Sequence, residues 1–342
     1  MSTQTHPENQ LSPAVIFDTL NAYQRTAALR AAIELDLFGG LAEAGSDAGS
    51  LARHCAASER GIRILCDYLT VIGLLAKEDG LYRHSPASAA FLDPRSPACL
   101  ASTAHFLSHP VLTGVFSDLS AIVRRGSTSL PGQGSVEPEH PMWVDFARSM
   151  APMMAPLAGP LADLALEGLT GPLRVLDIAA GHGLFGLAVA AKHASSEVVA
   201  QDWGAVLEVA VGNARKAGLE DRFKRLPGNA FDVDFGGPFD IALLTNFLHH
   251  YDAPTCVALL KKVRACMTPA GRAVALEFVP NDDRVSPPTA AAFSLMMLGS
   301  TPAGDAYTAR ELEAMYREAG FARVAVHPLP PSPETAVIGY VA

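Results

Sequence analysis

Apolar residues in the first third of the chain recur at helical spacing. Val15, Ile16, Leu20, Tyr23, Ala27, Ala31 and Leu35 fall mostly three and four apart, which predicts a helix from Pro13 to Phe38, stopped by Gly39-Gly40. Ser46–Cys55 reads as a second helix. Ser58, a residue suited to N-capping, opens a third that runs to Leu75, with Ile62, Leu65, Cys66, Leu69 and Ile72 on its apolar face. Leu74–Lys77 and Leu81–His84 can pair as a small wing through Glu78-Asp79-Gly80. Three helices and a wing make a winged-helix pattern over residues 1–105. Residues 106–170 read as linking helices, interrupted by Gly126–Pro141, which reads as a solvated surface connection.

From Leu173 the period changes. Strands are predicted at Leu173–Ile178, Ser196–Asp202, Phe223–Leu226, Phe239–Thr245, Arg272–Phe278, Arg323–His327 and Thr335–Val341. A loop and helix at Gly181–Lys192, and helices at Ala205–Ala217, Ala253–Cys266 and Ala309–Ala319, fall between them. That alternation implies an α/β domain over residues 171–342, with a mostly parallel sheet covered on both faces. Pro328–Glu334 is too short for a helical crossover, so the last two strands should be antiparallel.

Composition narrows the function classes. The chain has 342 residues, 49% hydrophobic and 18% charged, enough apolar residue for two cored domains. A net charge of −9 disfavours a nucleic-acid binder. The third helix carries Arg60 and Arg63 but is otherwise apolar, so packing or dimerisation suits it better than a DNA groove. No uncharged apolar stretch of membrane-spanning length is present, and the start MSTQTHPENQ does not read as a signal peptide. The five cysteines form no CxxC pair and are odd in number, the pattern of reduced thiols in a cytoplasmic protein.

The segment Val175–Gly183 carries the most chemistry. An apolar strand bears Asp177 near its end, then Ala179, Ala180, Gly181 and Gly183 let a ligand approach the backbone. Asp202 ends the next strand, where a carboxylate can hold ribose hydroxyls. Gly181–Gly186 matches the GxGxxG dinucleotide fingerprint, which on its own is a weak signal. A carboxylate just before the loop suits a cofactor with a cationic amino-acid end better than a pyrophosphate. S-adenosylmethionine is therefore favoured over NAD.

With Gln201-Asp202-Trp203, Gly228-Asn229-Ala230-Phe231 and Asn246–Tyr251 added, the chain resembles two-domain S-adenosylmethionine-dependent O-methyltransferases of the plant caffeate/flavonoid and bacterial hydroxyneurosporene type. The resemblance implies a Rossmann-like class I methyltransferase domain with an antiparallel last strand, preceded by a winged-helix dimerisation domain, and hence a homodimer. It implies that Asp177, Ala179, Gly181, Gly183, Asp202, Trp203, Gly228, Asn229, Ala230, Phe231 and Thr245 surround S-adenosylmethionine, with S-adenosylhomocysteine as product. It implies His249 as general base and Glu277, at the end of the following strand, as its orienter. A second glutamate of plant members is matched by Ala306, with Asp305 beside it. His250 stands where an acidic neighbour is usual.

For the acceptor, Phe146, Met150, Met153 and Met154 fall in one helical stretch and Phe293, Met296 and Met297 in another. Met and Phe line adaptable apolar pockets, though a stripe at this spacing also suits plain core. The resemblance assigns them, with Asn246 and His250, to a small aromatic or polycyclic acceptor. No HxxxH, HExxH or paired Cys/His spacing is read as a metal site. Methylation of an activated ring carbon, a relative that keeps the cofactor without transferring its methyl, a winged-helix regulator and an NAD-dependent enzyme stand as alternatives.

Overall fold

Ser58 accepts a hydrogen bond from Gly61 N at 3.1 Å and opens the helix Glu59–Val71, burying Ile62, Cys66 and Leu69 as the spacing predicts. The computed structural model describes residues 12–342 and divides between Ala104 and His105 into two units. In the first unit the expected helix Pro13–Phe38 is instead two, Ala14–Leu20 and Ala22–Glu34. The break is at Asn21, whose side-chain amide donates to Phe17 O at 2.9 Å and so offers the backbone a local alternative to helix. The second helix stops at Glu34 because Leu37, Phe38 and Leu41 turn back into the core. Val15, Ile16, Phe17, Leu20 and Tyr23 are each more than half exposed in the single chain.

The wing is β1 (Leu75–Glu78) paired antiparallel with β2 (Leu81–His84). Its two-residue turn, Asp79-Gly80, has φ of 49° and 80°, the left-handed pair that matches strand twist. Tyr82 of β2 is buried and donates to Asp67 Oδ1 at 2.7 Å, tying the wing to the capped helix.

The second unit is built on seven strands: β3 (Leu173–Ile178), β4 (Ser196–Asp202), β5 (Phe223–Pro227), β6 (Phe239–Thr245), β7 (Met267–Phe278), β8 (Arg323–Pro328) and β9 (Glu334–Tyr340). Their order is β5-β4-β3-β6-β7-β9-β8, with β3 to β7 parallel and β9 antiparallel to both neighbours. All but β7 lie within a residue of the expected ends. β7 starts early, at Met267, where it pairs with Phe239 across a register shift. One apolar face packs on the helices Ala151–Leu166, Leu184–Lys192 and Gly204–Lys216, and the other on Ala253–Ala265 and Ala309–Glu318. The order reverses between β3 and β6, opening a crevice at the carboxyl ends of the strands.

The linking region packs as part of this second unit. Thr103–Arg125 is long and apolar enough to cross a membrane by length and composition, but it is broken before Pro110 and by a 3-10 turn at Val115–Asp118. Gly126–Pro141 is not a solvated connection. Thr128 and Ser135 are buried, and Thr128 bonds Gly299 O through its hydroxyl and Thr301 O through its N–H. These are carbonyls at the end of the helix Pro288–Ser300, which lack helical partners of their own.

Candidate active site

The crevice holds a cavity of about 1330 Å³ counted to its open mouth. Its walls come from the loops after β3, β4, β5, β6 and β7 together with the helices Met142–Ser149, Ala151–Leu166 and Pro288–Ser300.

One half is organised by Asp202. Its Oδ2 accepts from Gly181 N at 2.8 Å and its Oδ1 from Trp203 N at 2.7 Å. Gly181 adopts φ of 56° to turn its N–H inward, a conformation glycine enters without steric cost. Each carboxylate oxygen keeps a lone pair for a diol. Burial outweighs the two backbone donors and pushes the carboxyl up to about 6. Gln201 braces the same wall, accepting from Ala179 N at 3.4 Å and donating to Gly228 O at 2.5 Å. Asn229 Oδ1 accepts from Phe231 N at 3.0 Å, an Asx turn that fixes Gly228–Ala230 along the cavity.

Four backbone donors of the glycine loop are committed to the protein. Ala180 N donates to Gln201 O and Gly183 N to Ala180 O, beside the Ala179 and Gly181 bonds above. Among the described residues, no Lys or Arg lines the cavity. A pyrophosphate needs free N–H groups or cations, so the wall does not fit NAD. It fits a nucleoside with a sulfonium side chain, which asks for a diol acceptor and carbonyl oxygens.

Asp177 departs from expectation. It is fully buried and absent from the cavity wall, with Oδ2 accepting from Gly186 N at 3.1 Å and Oδ1 unpartnered. Burial, opposed by that N–H and reinforced by Asp202, pushes it up to about 8, which leaves it largely neutral at pH 7. It pins the helix Leu184–Lys192 and lies off the cavity wall. Gly186 is required there, since a Cβ would stand 2.7 Å from Asp177 Oδ2. Gly183 and Phe231 also lie off the wall. Gly183 packs toward Ala210 and Phe223 on the sheet's apolar face, and Phe231 backs Phe247 and Tyr251. Ala179, Gly181, Asp202, Trp203, Gly228, Asn229, Ala230 and Thr245 do line the cavity.

At the centre stands His249, in the 3-10 turn Leu248–His250 that follows β6. Its Nδ1 meets Glu277 Oε2 at 2.5 Å, and Glu277 Oε1 accepts from Phe247 N at 3.1 Å and Leu248 N at 2.8 Å. Glu277 lies behind the wall, 2% exposed, so it sets the turn and the imidazole together. From outside, Tyr307 donates to Tyr251 O at 2.5 Å, and Gly304 lies so close that a Cβ would collide with His249 O. Asp305 does not replace the missing glutamate. Its Oδ2 is held by Arg284 at 3.1 Å and its Oδ1 by Ala306 N at 2.8 Å.

The other half is apolar. Phe146, Met150, Met153, Met154, Phe293, Met296 and Met297 line the cavity, as do Asn246 and His250. Sequence reasoning missed Phe106, Leu112, Ser135, Tyr251, Phe278 and Ser300 on the same wall. Phe278 stacks on Phe293 at 4.1 Å, and Phe293 stands edge-on to His249 at 4.9 Å. Phe278 follows the expected Glu277 directly, a signal that was available; Ser135 sat inside the supposed surface loop and had none.

No group of three or more potential metal ligands occurs among the described residues. His105 and His109 are four apart in sequence, but His109 Nδ1 accepts from Val111 N as a helix cap.

A family model for the O-methyltransferase domain matches residues 157–322, and one for the O-methyltransferase dimerisation domain matches residues 17–94. A solved structure from Nostoc punctiforme PCC 73102, classed as an O-methyltransferase, is 46% identical, with a TM-score of 0.94 over 97% of this chain and 100% of that one. The 3-hydroxy-5-methyl-1-naphthoate 3-O-methyltransferase of Streptomyces sahachiroi is 25% identical over 93% of this chain and 92% of its own. The tetracenomycin polyketide synthesis 8-O-methyl transferase of Streptomyces glaucescens is 26% identical over 99% of each. With near full-length similarity on both sides and both family models matched, the chain belongs to the two-domain S-adenosylmethionine-dependent O-methyltransferases.

Proposed function

We propose that the protein methylates a hydroxyl of a small aromatic or polycyclic molecule, with His249 as general base and Glu277 as its positioning residue. The observation that carries this reading is the His249–Glu277 pair set between a diol-binding carboxylate and an apolar, aromatic-lined half-cavity. The named relatives act on a hydroxynaphthoate and a tetracenomycin polyketide, the class of acceptor that such a half-cavity suits.

Asp202 would hold the ribose hydroxyls of S-adenosylmethionine, with Trp203 and Gly228–Ala230 beside the adenine and Ala179 and Gly181 along the methionine part. When bound, the cofactor supplies an electrophilic methyl group on a sulfonium, whose sulfur leaves as a neutral thioether. The protein's task is then to align the acceptor oxygen and remove its proton. Alignment gives the larger share of rate. The Glu277 contact fixes Nδ1 as the protonated nitrogen of His249 and leaves Nε2 to take the acceptor proton. The carboxylate then faces the imidazolium that forms. In the first unit, the exposed apolar face of residues 15–23 would be covered by a second copy of the chain, giving the homodimer that the dimerisation-domain match suggests.

Calorimetric titration with S-adenosylmethionine, S-adenosylhomocysteine and NAD tests the cofactor. Micromolar binding of the first two, lost in Asp202→Ala and absent for NAD, is expected. Turnover of hydroxyarenes that His249→Ala abolishes tests the base. A protein that binds neither methyl-donor form overturns the reading.

A further inference from the structure

The segment Gly228–Phe231, whose first three residues line the cavity, has its acceptors engaged by the protein. Gly228 O accepts from Gln201 Nε2 at 2.5 Å. Asn229 O accepts from Asp232 N and Val233 N, both at 3.0 Å, and its side-chain Oδ1 accepts from Phe231 N, also at 3.0 Å. Ala230 O and Phe231 O both accept from Lys262 Nζ at 2.9 Å, an ammonium that also stands over the Phe235 ring at 4.5 Å. The donors are the opposite case. Asn229 N, Ala230 N and Asn229 Nδ2 have no partner among the described residues. Ala230 is 5% exposed, and a buried N–H without a partner is rare, so this one calls for an acceptor atom on a ligand.

The side-chain amide cannot reverse this polarity. The Asx turn needs Oδ1 at Phe231 N; turned over, the amide would set its NH2 against that N–H, donor facing donor. Adenine offers a wall two kinds of polar group, ring nitrogens that accept and a 6-amino group that donates. Resting on the placement of the cofactor's adenine beside Gly228–Ala230 proposed above, we infer that this loop reads the purine through its ring nitrogens and makes no hydrogen bond to the 6-amino group, with Asn229 as the specificity-determining residue. An amide NH2 and a 6-amino group are both donors, so neither gains from meeting the other. The base subsite therefore tolerates a cofactor altered at the 6 position and discriminates against one that has lost a ring nitrogen.

Calorimetric titration of the whole protein compares S-adenosylhomocysteine with its 6-desamino analogue, which has hydrogen in place of the amino group, and with its 1-deaza, 3-deaza and 7-deaza analogues. Loss of the amino group should weaken binding by no more than about threefold, and at least one deaza analogue should bind roughly tenfold or more weaker. Asn229→Asp keeps an acceptor for Phe231 N and places a second oxygen where the NH2 stood. It should raise the ratio of amino to desamino affinity roughly tenfold or more, because a hydrogen bond to a charged oxygen then forms. A loop merely disturbed by the substitution would weaken both ligands together and leave that ratio unmoved. A larger wild-type loss on removing the amino group, full binding of all the deaza analogues, or an unmoved ratio in Asn229→Asp overturns the inference while the cofactor reading stands. Failure to bind S-adenosylhomocysteine at all overturns the cofactor reading, and this inference falls with it.

Discussion

Glu277→Gln is the most discriminating perturbation of the catalytic pair. Glu277 accepts three hydrogen bonds, from Phe247 N, Leu248 N and His249 Nδ1. An amide retains one acceptor oxygen. If its NH2 replaces Oε1, it faces two backbone donors; if it replaces Oε2, it faces one imidazole nitrogen that can change tautomer. The second arrangement costs less, so the amide oxygen keeps the backbone bonds. Nδ1 must then become an acceptor, which moves the ring proton to Nε2 and removes the base. Losing a positioned general base costs about 10²–10⁴ in rate. That is about 3–5 kcal/mol of barrier. Single-turnover transfer of labelled methyl from S-adenosylmethionine to an excess of hydroxyarene measures it. The affinity for S-adenosylhomocysteine should stay within about threefold of wild type, because Glu277 lies behind the cavity wall. His249→Ala should lose a similar factor, and the double variant no more than the worse single, since the two act as one unit. A Glu277→Gln enzyme that turns over at the wild-type rate, or losses that multiply in the double variant, would refute the positioning role.

Glu334 lies 2% exposed near Asn246 and Glu277 with Oε1 unpartnered, and burial, eased by the Asn246 side chain and reinforced by the Glu277 charge, pushes it up from 4.5 to about 7. A folded-state value above the unfolded one means that this carboxyl's share of stability is full below about pH 4.5 and is lost as pH rises through about 7. Glu334→Gln removes that loss, so urea titration should find it stabilising at pH 8, by about 3 kcal/mol at most, and near neutral at pH 4.5; equal effects at both values would contradict the shift. In Gly186→Ala the new methyl meets Asp177 Oδ2 and Val198 Cγ1 below 3.0 Å, and should cost about 1–3 kcal/mol by denaturant melt together with weaker S-adenosylhomocysteine binding. Phe17→Asp with Leu20→Asp places charges on a face more than half exposed in the single chain, and light scattering should then show monomers where the wild type is a dimer. A wild-type monomer, or variants that still dimerise, would refute the proposed interface.

Much of this was legible in the sequence because its signals are local and periodic. The strands from Leu173 onward are dense apolar runs bounded by turn residues, and their ends were placed within a residue wherever the pattern was regular. β7 was the exception, because Pro269 and Gly271 interrupt the run while the strand continues across a register shift. Asp202 and His249 were legible because residues that end a parallel strand or follow it directly stand where the crevice opens. Asp177 was misplaced for the opposite reason. It too lies near a strand end, but its side chain points under the helix at Gly186, and facing is decided by packing that a strand's position in sequence does not fix. The helix break at Asn21 turned on a single side-chain bond to Phe17 O, invisible in a spacing pattern that runs through it unchanged. Ser135 marks the limit most clearly. Its segment is rich in Gly, Pro and Ser, the composition of a surface loop, yet it is buried because the helix Pro288–Ser300 ends with carbonyls that Thr128 can satisfy. A contact between residues so distant in sequence brings Ser135 onto the wall beside Trp143, so this side of the cavity is set by tertiary packing, while the Asp202 side follows from the strand–loop–helix motif itself.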